Sequence, residues 1–198
     1  RHGNQPRFQY VLGQLYQLQG DKKAARHAYE KVLKLQPDSE MDFNTRLQLA
    51  QLEASPMAAV TLLTKMAKQD KNKDRLDQIY GTLGDILLAQ GDTTKALEYY
   101  AKGIEGSTKN GMSKATALIT AGDIYYQQRD YVSASPCYKE ASQILTVQHE
   151  DYKRIQRRSE TLDALVVEYS TVQLQDSLQQ LATLSEEDQL KVVEKIIA

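Results

Sequence analysis

Tryptophan is absent from the 198-residue chain, cysteine occurs once, proline four times and glycine ten times. The single cysteine, Cys137, excludes an intrachain disulfide and a zinc site built on several thiolates; it reads as a small apolar residue in a packed helix. Charge of one sign is not in excess either: 25 Lys and Arg stand against 26 Asp and Glu. That balance argues against a nucleic-acid partner, which would call for a basic domain. No long acidic or basic tail is present, and no polybasic block suited to a charged membrane surface. No apolar run approaches the ~20 residues that cross a bilayer. The opening Arg1-His2-Gly3-Asn4 lacks an initiator Met and a signal peptide, so the chain reads as a piece of a longer protein with any targeting segment upstream.

What is present favours helices. Ala, Leu, Gln, Lys, Asp and Glu dominate, and 12 Tyr with 2 Phe supply most of the large packing units. The chain also repeats itself. Leu12-Gly13, Tyr16, Gly20-Asp21, Ala25, Tyr29 and Pro37 find counterparts in Leu83-Gly84, Leu87, Gly91-Asp92, Ala96 and Tyr100. Further counterparts are Ala121-Gly122, Tyr125, Asp130-Tyr131, Ala134 and Tyr138, with a worn copy in Leu49-Ala50, Ser55-Pro56, Ala59, Leu63 and Met66. The second-helix alanines Ala25, Ala59, Ala96 and Ala134 recur at a period of about 34 residues, which is the mark of a helical-hairpin array. Such a hairpin cannot bury both apolar faces alone and stacks on its neighbours. Small residues at Gly13, Gly84 and Gly122 permit close helix approach. Gly20-Asp21 and Gly91-Asp92 make the turn, Gly ending one helix and Asp capping the next.

The pattern resembles the tetratricopeptide repeat. The resemblance implies an all-α fold, a right-handed superhelical array of helical hairpins closed by C-terminal capping helices. Repeats are expected at 6–39, 40–70 (divergent), 77–110 and 115–148, with the capping helices over 150–198. Three local expectations accompany this. Pro136 should delay the start of its helix to Ser133 or Ser135, or bend it. Ser170-Thr171-Val172 marks a break between the stripe Tyr152, Ile155, Leu162, Leu165, Val166 and Tyr169 and the stripe Leu174, Leu178, Leu181 and Leu184. Ser185-Glu186-Glu187-Asp188 has the form of a capping box, opening a last helix through Leu190, Val193, Ile196 and Ile197 that would serve capping, docking or dimerisation.

Chemistry is sparse. His2, His27 and His149 share no helix turn, so neither a metal site nor a base–nucleophile pair emerges from them. The carboxylates spread along helical faces, and no phosphate loop, nucleophile elbow or HExxH is present. Asp70-Lys71-Asn72-Lys73-Asp74 has a faint likeness to a calcium loop but lacks its glycine and terminal glutamate. No catalytic residue, metal or cofactor is expected.

Instead, the family's inner-face positions fall here on Tyr10, Gln14 and Gln17, on Asn44 and Gln51, on Gln78, Asp85 and Leu88, and on Thr116, Ile119, Asp123, Tyr126 and Gln127. This amide-rich groove is the candidate binding surface. A clamp for a C-terminal carboxylate uses Lys, Asn and Arg at positions that here hold Tyr10, Gln14, Asp85 and Asp123, so the groove should repel such a group. The stretches Lys71-Asn72-Lys73 through Asp77-Gln78-Ile79-Tyr80 to Gly84-Asp85-Ile86, and Leu174-Gln175-Asp176-Ser177-Leu178-Gln179 with Leu181-Ala182, resemble the PorW/SprE type of repeat lipoprotein from Bacteroidetes. That likeness implies a lipid-anchored periplasmic component at the outer membrane, joining other proteins in type IX secretion and gliding motility. Three readings stay open: an assembly scaffold, an adaptor holding extended client segments in the groove, and a domain attached to an enzyme elsewhere.

Overall fold

The computed structural model describes residues 5–185 and 188–191, and these contain helices and connecting turns but no strand. They fall into two compact units, Arg1–Leu118 and Ile119–Ala198. In the first, α1 (Gln5–Leu18) and α2 (Lys22–Lys34) form a hairpin, as do α5 (Leu76–Ala89) and α6 (Thr93–Glu105). Between them lie α3 (Ser39–Gln51), α4 (Pro56–Ala67) and a short 3₁₀ stretch, Asp70–Arg75. The helix α7 (Met112–Gln127) supplies its first part to this unit and its remainder, from Ile119, to the second.

The hairpin turns follow from their residues. Gly20 and Gly91 take φ of 79° and 81°, a left-handed backbone that costs glycine little. Asp21 and Asp92 then accept the N–H groups of Ala24 and Lys95 at 2.9 and 3.1 Å, which satisfies an otherwise orphaned donor of each new helix. The third such turn has no glycine. Arg129 adopts φ of 62° there, and Asp130 caps by accepting the Ser133 N–H at 3.0 Å.

A recurrent contact packs the hairpins. Tyr29, Tyr100 and Tyr138 are fully buried, and their rings lie against Gly13, Gly84 and Gly122. A Cβ added at Gly13 would sit 2.6 Å from the Tyr29 ring, and one at Gly84 2.7 Å from Cδ1 of Tyr100 and closer still to Cε1. Burying each such ring is worth about 1.5–3 kcal/mol, and only glycine leaves it room. Helices α3 and α4 lack this device. They join α5 through a cluster of Phe43, Leu47, Leu63, Met66, Ile79 and Leu83, and Asn72, buried in the 3₁₀ stretch, donates from Nδ2 to the Met66 carbonyl at 2.8 Å. The stretch with a likeness to a calcium loop is thus a cap on the end of α4, and its Asp70 pairs with Lys73 at 2.8 Å. Ser55 makes no side-chain capping bond; Pro56 in the first turn of α4 starts that helix with φ already set.

The second unit holds the rest of α7, α8 (Tyr131–Ile144) and α9 (Tyr152–Ala182). Two local expectations are corrected here. Pro136 does not delay α8, which begins at Tyr131 with the proline inside it. The Asp130 cap and the burial of Ala134 and Tyr138 hold the first turn against the loss of the hydrogen bond that the proline removes. Nor does Ser170-Thr171-Val172 interrupt the chain: α9 is continuous for 31 residues. β-Branched residues lower helix propensity without breaking a helix, and the Thr171 hydroxyl donates back to the Val167 carbonyl at 2.9 Å. Helices α8 and α9 are tied by Ile155 and Leu162, both buried, and by Asp163, which accepts from Ser135 and pairs with Lys139 at 2.9 and 2.8 Å. Of the expected capping box, the Ser185 hydroxyl accepts the Asp188 N–H at 3.3 Å. His2, Glu186, Glu187, Val193, Ile196 and Ile197 lie outside the described residues.

Candidate functional site

The tyrosines that fill the hairpins also reach the surface on which the candidate residues lie. Tyr29 donates its hydroxyl to Gln17 Oε1 at 3.0 Å, Tyr100 to Asp85 at 2.7 Å and Tyr138 to Asp123 at 2.6 Å. Three residues placed on the inner face by their spacing therefore anchor the core as well. Burial pushes the Tyr29 hydroxyl pKa up to about 12. Burial and the neighbouring carboxylate raise those of Tyr100 and Tyr138 further. Asp85 keeps an open edge to solvent, yet the desolvation of its inner side raises its carboxyl above the usual range, against the lowering effect of the Tyr100 hydrogen bond.

The remaining candidates divide among three cavities. In the first unit, a cavity of about 830 Å³ takes in Tyr10, Gln14 and Asn44, with Arg7, Asp38 and Glu40 around it. Another, of about 250 Å³, takes in Gln78, Asp85 and Thr116 beside Tyr100. In the second unit a cavity of about 610 Å³ is bounded by Tyr126 from α7, Tyr131 from α8 and a run of α9 side chains. Gln17, Gln51 and Gln127 line none of the three. Gln51 and Gln127 are exposed, Leu88 is half-buried and Ile119 is buried.

The second unit departs most from expectation. Asp123 does not stand alone as an anion. Arg154 binds both its oxygens, at 2.8 and 3.1 Å, and Arg158 binds Oδ1. Arg158 also donates to the Tyr138 hydroxyl at 2.7 Å and lies over the Tyr126 ring, 4.5 Å from its centroid. Arg154 has a second carboxylate, Asp151, at 2.8 Å. Arginine suits such a position because its planar fork can bind a carboxylate and cover an aromatic face at once. The expected repulsion of an acidic group therefore fails here: two guanidiniums neutralise Asp123, and Lys153 and Arg157 add further positive charge to the cavity wall.

Spacing alone could have found these cations. Lys153, Arg154, Arg157 and Arg158 recur at i, i+1, i+4 and i+5, which puts them on one face of a helix. They lie beyond the repeat pattern, beside the apolar stripe of α9. The exposed His27 sits in α2 and His149 in a turn. No group of three or more His, Cys, Asp or Glu that could hold a metal occurs among the described residues. Cys137 is partly buried, its thiol donating to the Ser133 carbonyl at 3.4 Å, and burial raises its pKa to about 11.

Two family models, each described as tetratricopeptide repeat, match residues 6–39 and 75–146, more than half of the chain. The chain belongs to the tetratricopeptide repeat family. No curated protein matches it in sequence. Among solved structures, that of BtubC (BKLC) from P. vanneervenii is similar at 19% identity with a TM-score of 0.59, covering 83% of this chain and 74% of that one. The MamA protein is also similar at 19% identity with a TM-score of 0.47, covering 92% and 98%. The tetratricopeptide repeats explain why the glycine–tyrosine contact recurs in register and support a role in protein–protein interaction. No helix among the described residues is long and apolar enough to cross a membrane.

Proposed function

We propose that the chain is a non-enzymatic protein-binding scaffold whose first helices, in repeats at 6–39, 40–70, 77–110 and 115–148, hold extended segments of partner proteins. The carrying observation is that side chains placed on the inner face by their spacing line three open cavities, while the buried tyrosines behind them fix the backbone. A rigid surface loses little order on binding, which favours affinity. The secretion setting has one support, the resemblance of residues 71–86 and 174–182 to the PorW/SprE type. It carries with it the outer-membrane location and the secretion-machine partners. The cavity of the second unit favours the adaptor form of this reading, in which a single client segment is gripped.

The test is site-specific photocrosslinking in the native host, with a photoreactive amino acid at Gln14, Gln78 or Tyr126 and, as controls, at the exposed Lys31 and Glu98 on second helices. Partner proteins should be captured from the first three positions and not from the controls. Equal capture from both sets would refute the inner-face assignment. Captured type IX secretion components would support the resemblance, and a set without any would remove it.

A further inference from the structure

Four cationic side chains, two tyrosine rings and two leucines meet in the 610 Å³ cavity of the second unit. Their charges are not equivalent. Arg154 and Arg158 are held and balanced by Asp123, with Asp151 also on Arg154. Lys153 and Arg157 are exposed and have no acidic partner among the described residues. Among the described residues, no carboxylate lines the cavity. The balanced pair forms a fixed wall, because Arg158 is pinned by Tyr138 and covered by the Tyr126 ring. Among the described residues, the second pair has no counter-charge and lies exposed.

The apolar side comes from Leu162 and Leu165, one turn apart on α9, and from Tyr126, whose ring meets Tyr131 edge-on at 5.5 Å. Leu165 remains 40% exposed, so part of its surface is open to a ligand. A cavity with an apolar floor and a few convergent polar groups is the usual form of a binding site. We propose that this cavity selects an acidic segment of a partner protein carrying an aliphatic or aromatic side chain. The apolar side chain enters between Tyr126 and Leu165, and flanking carboxylates meet Arg157 and Lys153. Charge complementarity of this kind sets specificity and association rate. This deepens the protein-binding reading and rests on it.

Ten-residue peptides, acetylated and amidated so that neither terminus carries charge, provide the probe. One alternates Glu with Leu and Phe, a second replaces each Glu by Lys, and a third replaces Leu and Phe by Ser. Fluorescence anisotropy against the whole chain should show binding of the first only, weakening as salt is raised. Arg157→Glu should weaken it about fivefold or more, given that reversal turns an attraction into a repulsion. Leu165→Glu should do so independently, with the circular dichroism of both variants unchanged. Equal binding of the Lys peptide, indifference to both substitutions, or displacement by a single-stranded oligothymidine would overturn the proposal. A random ten-residue peptide pool passed over the immobilised chain separates the two levels. Enriched binders without acidic residues would sink the acidic preference and keep the scaffold reading, whereas an absence of binders would sink both.

Discussion

The glycine–tyrosine contact makes the sharpest prediction, because two of its copies differ in clearance. Ala exceeds Gly by about 1 kcal/mol in a helix interior, so Gly→Ala would ordinarily stabilise. At Gly84 the new methyl would lie 2.7 Å from Cδ1 of Tyr100 and closer to Cε1, an overlap of roughly 1 Å against the 3.5–4.0 Å optimum of carbon pairs. The ring cannot slide away freely, since its hydroxyl is held by Asp85 at 2.7 Å. Overpacking of this kind costs about 1–3 kcal/mol, and loosening the hydrogen bond about 1 more. Gly84→Ala should therefore lose about 2 kcal/mol net. At Gly122 the nearest ring atom is 3.0 Å away and Cβ of Cys137 3.2 Å, a shortfall of a few tenths of an ångström, so Gly122→Ala should fall within about 0.5 kcal/mol of the parent. Urea unfolding followed by circular dichroism at matched conditions measures both. In a Tyr100→Leu background the Gly84→Ala penalty should largely vanish, as a double-mutant cycle requires if the ring is the cause. A Gly84→Ala variant as stable as the parent, or a Gly122→Ala variant equally damaged, would refute the reasoning.

Other outcomes follow from charge and burial. The folded-state pKa of Asp85 is raised, so the folded chain holds this proton more tightly than the unfolded chain, and the group's contribution to stability declines as pH rises from the ordinary aspartate value of about 3.9. Asp85→Asn should then match or exceed the parent in thermal stability at pH 7, with the difference closing towards pH 3; a loss at pH 7 that persists in acid would contradict the assignment. Asp123→Asn should cost about 1 kcal/mol, since the ion pairs are partly exposed and retain a hydrogen-bond acceptor, and the loss should shrink in 1 M salt; an unchanged melting temperature would show the network to be idle. With its pKa raised to about 11, Cys137 should react with iodoacetamide at pH 8 about a hundredfold more slowly than an exposed cysteine, and ordinary labelling kinetics would show that the thiol is open.

Periodicity made the hairpins legible because each repeat uses the same few residues for the same physical task. Gly13 with Tyr29, Gly84 with Tyr100 and Gly122 with Tyr138 stand at matching offsets, and the Gly-Asp turns announce themselves. Helices α3 and α4 are legible from apolar spacing and Ser55-Pro56, although Asn72 as the cap on α4 cannot be foreseen from the loop. Pro136 does not move the start of α8, because the Asp130 cap and the burial of Ala134 and Tyr138 outweigh the local rule. The binding surface was less legible. Spacing assigns Gln17, Asp85 and Asp123 to one face, but whether a face residue meets solvent or a tyrosine hydroxyl depends on the neighbouring helix. The arginines of α9 act across 31 and 35 residues on Asp123, a distance at which spacing rules are silent.

The length of α9 has a mechanical consequence. Thirty-one residues extend about 46 Å at 1.5 Å per residue, yet among its described side chains the last buried in the core is Leu162, the eleventh. Beyond it lie some twenty residues, about 30 Å of helix, on which Leu165, Val167, Tyr169, Val172 and Leu178 face solvent. Side chains exposed in this way add little burial to a helix, and helical stability in proteins comes mainly from such burial. Amide protection should thus decline along one uninterrupted helix, high at the base that carries the arginines and low toward the tip. A load applied along such a member would loosen its exposed turns before it disturbed the tyrosine-pinned base.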